Sequence, residues 1–260
     1  MRRADAGNAV ATAGGALLVL VLVLPVLALL LGVRPEEVQA AVRSPLLVRA
    51  LALSLTTTAV SVALVGALGT PLAWWLGRSP SGLAQAVHQA VRLPVVTPPA
   101  VAGVALLSAF GRRGLLGPWL EGLGVGVAFT PVAVVIAQVF VAAPFFVLPA
   151  AATFRALDEE LLLVARSLGA SPLSTALRVG LPLALPSLVG ALAVAWARAL
   201  GEFGATLVFA GNLAGRTQTL PLAIYTSLES DLGVARVLSV VLLAVAAALF
   251  FGLGRRAWSR

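Results

Sequence analysis

Cysteine and lysine are both absent from this chain, and histidine occurs once. The lack of cysteine excludes disulfides, iron–sulfur clusters and thiolate metal sites. The single histidine, His88, lies in a short polar loop, where we expect a solvated side chain and no metal site. A phosphate-binding P-loop needs a lysine, so the chain is not expected to hydrolyse ATP by itself. No catalytic residue is predicted, because no acid cluster, nucleophile with its base or set of metal ligands converges.

Charge is scarce: only 11% of the 260 residues are charged, whereas 60% are hydrophobic. A soluble domain of this size could not cover so much apolar surface, so lipid is the expected solvent. Six long charge-free intervals remain, each able to cross a hydrocarbon core of about 30 Å as a helix. Unbroken apolar runs exclude alternating barrel strands. We therefore predict an all-α membrane protein of one domain with about six transmembrane helices. The predicted spans are residues 13–33, 51–77, 93–111, 126–150, 183–207 and 236–254.

The first apolar run follows Arg2 and Arg3, as a signal peptide would, but it is too long and lacks a convincing cleavage site. We interpret it as a retained first helix. With the amino terminus inside, the inner segments hold more arginines than the outer ones, which is the bias of cytoplasmic loops. Both termini are then cytoplasmic in a multi-pass protein of the cell membrane. The net charge of +8 does not indicate nucleic-acid binding, because the arginines are scattered at helix ends.

The polar stretch at residues 155–181 is predicted to form a cytoplasmic elbow. Residues Asp158 to Ala170 indicate a short helix with acids in its first turn and Gly169 at the left-handed C-terminal position. A second short helix is predicted from Pro172 to Val179, with proline in its first turn. The sequence alone also allows an amphipathic loop that lies on the bilayer or packs on its own bundle.

A second polar region begins in the fifth span and continues into an external loop at about residues 207–236. Arg198 and Glu202 are four residues apart, on one face of a helix, at a depth where ionisable groups face the bundle interior. They are expected either to pair with each other or, for Arg198, to lend positive potential to an anion path. The candidate residues for a translocation path or gate are Arg198, Glu202, Thr206, Asn212, Thr217, Gln218 and Thr219.

The elbow resembles the signature loop of the inner-membrane permeases of binding-protein-dependent ABC importers. That loop reads Glu-Ala-Ala, three residues, Gly, nine residues, then Ile-x-Leu-Pro. This chain matches it at Ala165, Gly169, Leu181 and Pro182, with Val179 in place of isoleucine. The resemblance implies that the elbow docks as a coupling helix in a groove of a separate ATP-binding subunit. The coupling residues it assigns are Ala165, Arg166, Ser167, Leu168, Gly169, Ala170, Ser171 and Pro172.

The chain departs from the signature at its first two positions, where Leu163 and Val164 replace glutamate and alanine. The family's ion pair with the ATPase is therefore not carried over at residue 163. Glu159 and Glu160 lie one turn earlier.

Within this family, the run from Arg198 to Asn212 followed by Gly215 to Tyr225 looks most like molybdate permeases, and sulfate permeases share the first half more loosely. The resemblance implies type I importer architecture: a two-fold dimer that imports molybdate or tungstate. The implied partners are a second copy, an external binding protein and two ATPase subunits that hold ATP and Mg²⁺, with no cofactor on this chain.

Three alternatives stay open at the level of the sequence: a permease for sulfate, thiosulfate or another oxyanion, a carrier driven by an ion gradient, and a membrane-embedded enzyme. A gradient-driven carrier needs intramembrane carboxylates or histidines to relay ions, and only Glu202 qualifies. An enzyme would need the convergent groups whose absence is noted above.

Overall fold

The computed structural model describes the backbone of residues 2–258 and the side chains of residues 12–252, and within this part the chain is helical with no β-strand. A π-helical turn at Ala176–Gly180 joins α9 to α10. The helices in chain order are α1 Arg2–Leu31, α2 Pro35–Arg43, α3 Pro45–Arg78, α4 Gly82–Val96, α5 Pro99–Phe110, α6 Gly117–Gly122, α7 Pro131–Arg155, α8 Glu159–Ser167, α9 Pro172–Thr175, α10 Leu181–Leu200, α11 Gly204–Ala210, α12 Leu220–Ser230 and α13 Leu232–Trp258.

Most helix starts follow from local sequence. Helices α2, α3, α5 and α7 begin with proline, whose missing N–H costs nothing in the first turn of a helix. Side-chain oxygens cap some helix starts: Ser44 at α3 accepts from the backbone N–H of Leu46 at 3.2 Å, and Ser81 at α4 accepts from that of Ala84 at 3.1 Å. Because these local signals start a helix at once, the connections between helices are short.

Five helical segments of the described chain are long and apolar enough to cross a membrane. The bounds of these segments are Thr12–Leu31, Pro45–Arg78, Pro131–Arg155, Pro172–Leu200 and Leu232–Gly252.

The structure differs from the predicted third span, residues 93–111, which is divided between α4 and α5. The break falls at Thr97 and Pro98, because proline lacks the N–H that would continue a helix and disfavours helical backbone before it. Helix α5 has 12 residues, so at about 1.5 Å per residue it covers only about 18 Å. The described part of the chain therefore has five long apolar helices and the shorter apolar helix α5 where six full spans were predicted.

The predicted fifth span, residues 183–207, also differs. Helix α10 ends at Leu200, three residues follow without helical structure, and the short helix α11 begins at Gly204. The polar stretch of the fifth span is therefore a helix end, a turn and a new helix start rather than one continuous helix.

Two ion pairs join elements at opposite ends of the long helices. Arg78, at the end of α3, pairs with Glu159 of α8 at 3.2 Å, and we call this end the elbow side. Arg236, near the start of α13, pairs with Glu37 of α2 at 3.0 Å, and we call this end the far side. The long helices run between these two sides.

The core is centred on α3 and α7. Half of the apolar window in α7 is buried, whereas none of the window in α1 is. Trp74 of α3 and Phe154 of α7 pack edge to face, with their ring centroids 5.2 Å apart. Helix α1 therefore presents its apolar side chains outwards, to lipid or to another chain.

Candidate functional site

The elbow is built from locally capped turns. Asp158 accepts the backbone N–H of Glu160 at 2.9 Å and so caps α8, whose first turn holds the two acidic side chains that favour the positive end of a helix. Gly169 has a φ of +89°, the left-handed value predicted for the end of this helix. Ser171 then caps α9 by accepting from Ser174 at 3.2 Å.

The second predicted helix, Pro172 to Val179, is not separate from the membrane span. Helix α9 ends at Thr175, and the π-helical turn carries the chain directly into α10. Gly180 lies in this junction, where a side chain would meet the Trp74 ring at 2.4 Å. The elbow therefore continues into α10 and packs closely on α3.

One face of the elbow holds it to the bundle and another is open. Leu162 is buried and Glu159 pairs with Arg78, whereas Leu168 is 84% exposed. Leu163 and Val164, which replace the first two signature residues, are also exposed, as are three further apolar side chains, Leu161, Leu173 and Leu177. A concentration of exposed apolar side chains in one short segment is typical of a protein or membrane contact.

The structure places the eight predicted coupling residues on this open part. Ala165 and Ala170 are half-buried, and the other six are exposed. Their role in coupling stays a prediction.

Arg198 and Glu202 form the ion pair that the sequence allowed. The Nη2 atom of Arg198 lies 3.0 Å from Oε2 of Glu202, whose side chain is 1% exposed. The other carboxylate oxygen, Oε1, accepts the backbone N–H of Ala205 at 2.8 Å, which satisfies a free donor at the start of α11. Glu202 thus joins the end of α10 to α11, and about a third of the Arg198 side chain remains exposed.

The segment between α11 and α12 holds most of the other candidate path residues. Thr217 is buried; its hydroxyl accepts from the backbone N–H of Leu213 at 3.0 Å and donates to the carbonyl of Gly211 at 3.3 Å. The amides of Asn212 and Gln218 both donate to the hydroxyl of Thr226, at 2.8 and 3.3 Å. Within the segment that was predicted as an external loop, Thr217, Gln218 and Thr219 are buried, whereas Thr226 is exposed.

Three buried oxygens near this segment have no hydrogen-bond partner among the described residues: the hydroxyls of Thr206 and Thr219 and the amide oxygen of Asn212. Buried polar atoms are ordinarily satisfied by protein or by water. All three belong to candidate path residues.

A polar face on α3, absent from the sequence analysis, supports the same region. Ser61 donates to Gln138 of α7 at 2.9 Å, and Gln138 donates to Thr57 at 3.2 Å. Thr58 accepts from the Trp196 indole of α10 at 3.1 Å, and Ser54 accepts the backbone N–H of Leu220 at 2.7 Å. The signal was available: residues 54, 57, 58 and 61 follow the three- and four-residue spacing of one helix face.

These hydrogen bonds also locate the start of α12. Ser54 lies nine residues after Pro45, about 14 Å along α3 from the far side at 1.5 Å per residue. The non-helical backbone before Leu220 therefore enters between the helices, which is tolerated in a membrane where protein or water surrounds it. Across residues 12–252, no three acidic, histidine or cysteine side chains are arranged to hold a metal ion.

Comparison with known proteins assigns the architecture. Residues 69–258 match the family described as the binding-protein-dependent transport system inner membrane component, which is more than half of the chain. The chain belongs to this family. The matched residues include both the elbow and the polar segment from Arg198 to Thr226. Helices α1 and α2 and the first part of α3 precede the match.

Relatives and a solved structure agree with the assignment. The molybdenum transport system permease protein ModB of Mycobacterium tuberculosis is 43% identical over 90% of this chain and 88% of its own length. A probable sulfate transport system permease, cysT of Nephroselmis olivacea, is 34% identical over 89% of this chain and 83% of its own. The fold matches that in a crystal structure of a bacterial alginate ABC transporter bound to its periplasmic protein, with a TM-score of 0.76, 16% identity and coverage of 95% and 93%. The chain thus has the type I importer permease fold and is a multi-pass membrane protein.

Proposed function

We propose that this chain is the permease subunit of an ATP-driven importer of molybdate, and that tungstate shares its route. The observation that carries the proposal is the 43% identity to a molybdenum permease across nearly the whole chain, against 34% to a probable sulfate permease. The run from Arg198 to Tyr225, in which the sequence resembles molybdate permeases, also contains the buried Glu202 with its contact to Ala205 and the buried Thr217 with its contact to Leu213.

The importer needs partners that this chain lacks. Two ATPase subunits bind ATP and Mg²⁺ and dock on the elbow, an external protein delivers the oxyanion, and this chain supplies neither catalysis nor a cofactor. A second copy completes the translocation route along a two-fold axis, because one set of spans is small for both a lined path and its gates. The open apolar face of the elbow supports the docking of an ATPase.

The elbow side is cytoplasmic in this proposal, and both termini lie on that side. Support comes from the excess of arginines in the segments on this side and from the direction of the helices. The far side then receives the binding protein.

Helix α10 connects the elbow to the far side. The elbow continues without a break into α10, whose 20 residues extend about 30 Å to the Arg198–Glu202 pair. Movement of the elbow on closure of the ATPases therefore shifts the end of α10 and the short helix α11 that Glu202 caps. Arg198 supplies positive potential to the oxyanion, and binding along the route is weak enough for release.

The substrate is tested by reconstituting the chain in liposomes with its ATPase and binding protein and adding molybdate, tungstate or sulfate in turn. We expect molybdate and tungstate to stimulate ATP hydrolysis and sulfate to have no effect. Stimulation by sulfate alone would keep the importer and overturn the substrate. Absence of coupling to any ATPase would overturn the mechanism and favour a carrier driven by an ion gradient.

The docking surface is tested separately with Leu168→Glu, which places a charge at the most exposed apolar position of the elbow. Leu115→Glu is the matched control, because Leu115 is 86% exposed but lies on the far side. We expect the first variant to lose copurification with the ATPase and the second to retain it. Equal retention by both would remove the elbow from the docking surface.

A further inference from the structure

A cavity on the elbow side lies apart from the elbow's open face and from the polar segment. Its volume is about 650 Å³, and its walls are the end of α3, one side of α4 from Ala84 to Arg92, the end of α7 and the start of α8. Its charged and titratable lining residues are Arg78, His88, Arg92, Arg155 and Glu159, with the amides of two glutamines beside them.

Positive charge in this cavity exceeds negative charge. Glu159 is the single carboxylate in its lining, and it pairs with Arg78. Arg92 and Arg155 form no ion pair within residues 12–252, and both are exposed. Partial burial and then the charges of Arg92 and Arg155 lower the pKa of His88, which places this side chain beside both guanidinium groups.

Helix geometry explains only part of this arrangement. Arg78 and Arg155 are the last residues of α3 and α7, where a cation favours the negative end of a helix dipole. Arg92 has no such reason, because it lies before the last turn of α4. All three lie on the side where arginines are in excess, and their convergence on one cavity whose lining has a single carboxylate suits a ligand with negative charge.

We infer that this cavity binds a phosphate-type oxyanion group between Arg92 and Arg155. Guanidinium groups bind tetrahedral oxyanions through paired hydrogen bonds, and Gln85 and Gln89 add neutral donors at the rim. Two sources carry this chemistry: the headgroup of an anionic lipid and a free inorganic oxyanion. The volume is larger than one phosphate needs, which favours a headgroup with its glycerol, and basic pockets at this membrane level bind such lipids.

An anion bound in the cavity affects the elbow through Arg78. This arginine lines the cavity and also holds Glu159 of α8. An anion in the cavity therefore lies beside the ion pair that fixes the elbow to α3. The site is independent of which substrate the permease carries.

The test uses the full chain in detergent with two probes. Native mass spectrometry measures the binding of phosphatidylglycerol against phosphatidylcholine, and titration with inorganic phosphate at constant ionic strength measures the free anion. The variant is Arg92→Gln with Arg155→Gln, and Arg178→Gln is the control for loss of charge on the same side. Arg92→Gln alone is a second variant if the double change impairs folding.

We expect the double variant to bind phosphatidylglycerol about tenfold more weakly and the control to bind it as the parent does. Preference for phosphatidylglycerol that the double variant loses identifies a lipid site. Phosphate binding that the double variant loses identifies a free-anion site. Equal weakening in the double variant and the control would overturn the inference. Failure of the parent chain to bind both probes would also overturn it.

Discussion

At the scale of single residues, Glu202 combines burial with two compensating contacts. One oxygen faces the Arg198 guanidinium, and the other accepts the backbone N–H of Ala205. A carboxylate this far from water is retained only with such partners, because an unpaired buried charge costs several kcal/mol. We therefore interpret Glu202 as the group that fixes the start of α11, and Arg198 as the charge that remains accessible.

Replacement of Glu202 by glutamine keeps the shape but leaves Arg198 without its counter-charge. We expect a loss of about 1–3 kcal/mol in the free energy of unfolding, below the cost for a fully buried pair because Arg198 is partly exposed. The matched control is Glu121→Gln in the exposed pair with Arg112, where we expect less than about 1 kcal/mol. Denaturant titration in mixed micelles measures both. Similar losses in the two variants would contradict the buried role of Glu202.

His88 gives a pH dependence with a defined sign. Partial burial, then Arg92 and Arg155, lower its pKa in the folded chain below the ordinary value of about 6.5. As the pH falls through that value, the unfolded histidine takes up a proton that the folded one resists, so stability decreases towards lower pH. We expect His88→Gln to reduce this decrease in thermal unfolding midpoints measured between pH 7.5 and pH 5.5. An unchanged slope in the variant would show that other groups cause it.

At the scale of elements, α3 and α7 approach each other through glycine. A side chain at Gly77 would meet the carbonyl oxygen of Ala151 at 2.6 Å and the Cβ of Phe154 at 3.0 Å. Backbone atoms cannot move aside as the end of a flexible side chain can. Small residues at such crossings allow helices in lipid to pack closely.

We expect Gly77→Ala to destabilise the chain by about 1–3 kcal/mol, because the added methyl group separates α3 from α7 near the Arg78–Glu159 pair. Gly66→Ala in the same helix is the control: its methyl group would meet only Leu192, at 3.5 Å, and alanine gains up to about 1 kcal/mol of helix propensity. Thermal unfolding in detergent compares the variants. A loss of stability in both, or in neither, would contradict the close contact at Gly77.

At the scale of the whole molecule, the two sides differ in what they expose. The elbow side carries the apolar face around Leu168 and the basic cavity, and the far side carries α2, α6 and the start of the polar segment. Orientation decides which face meets the ATPase and which meets the binding protein.

The chain contains no cysteine, so one introduced cysteine reports its own side of the membrane. In Ser171→Cys the thiol lies on the exposed elbow, and in Ala214→Cys it lies on the exposed far side. We expect a membrane-impermeant maleimide added to intact spheroplasts to label residue 214 and to label residue 171 only after permeabilisation. The reverse pattern would invert the proposed topology.

The sequence by itself determined the features that depend on neighbours in the chain. Apolar runs set the membrane class and the helices, since a helix needs only local hydrogen bonds in lipid. The left-handed Gly169 was predicted because it depends on the conformation of one residue, and the Arg198–Glu202 pair was allowed because it joins residues four positions apart. The roles of the coupling and path residues stay predictions.

Only the tertiary structure decided which polar groups are buried and what surrounds them. Ser61 meets Gln138 across 77 positions, and Leu220 meets Ser54 across 166. The basic cavity likewise needs Arg78, Arg92 and Arg155 from three helices. The sequence does not reveal such contacts. A polar side chain is buried only where it has partners, and these partners come from helices that are distant in the sequence and meet only in the packed structure.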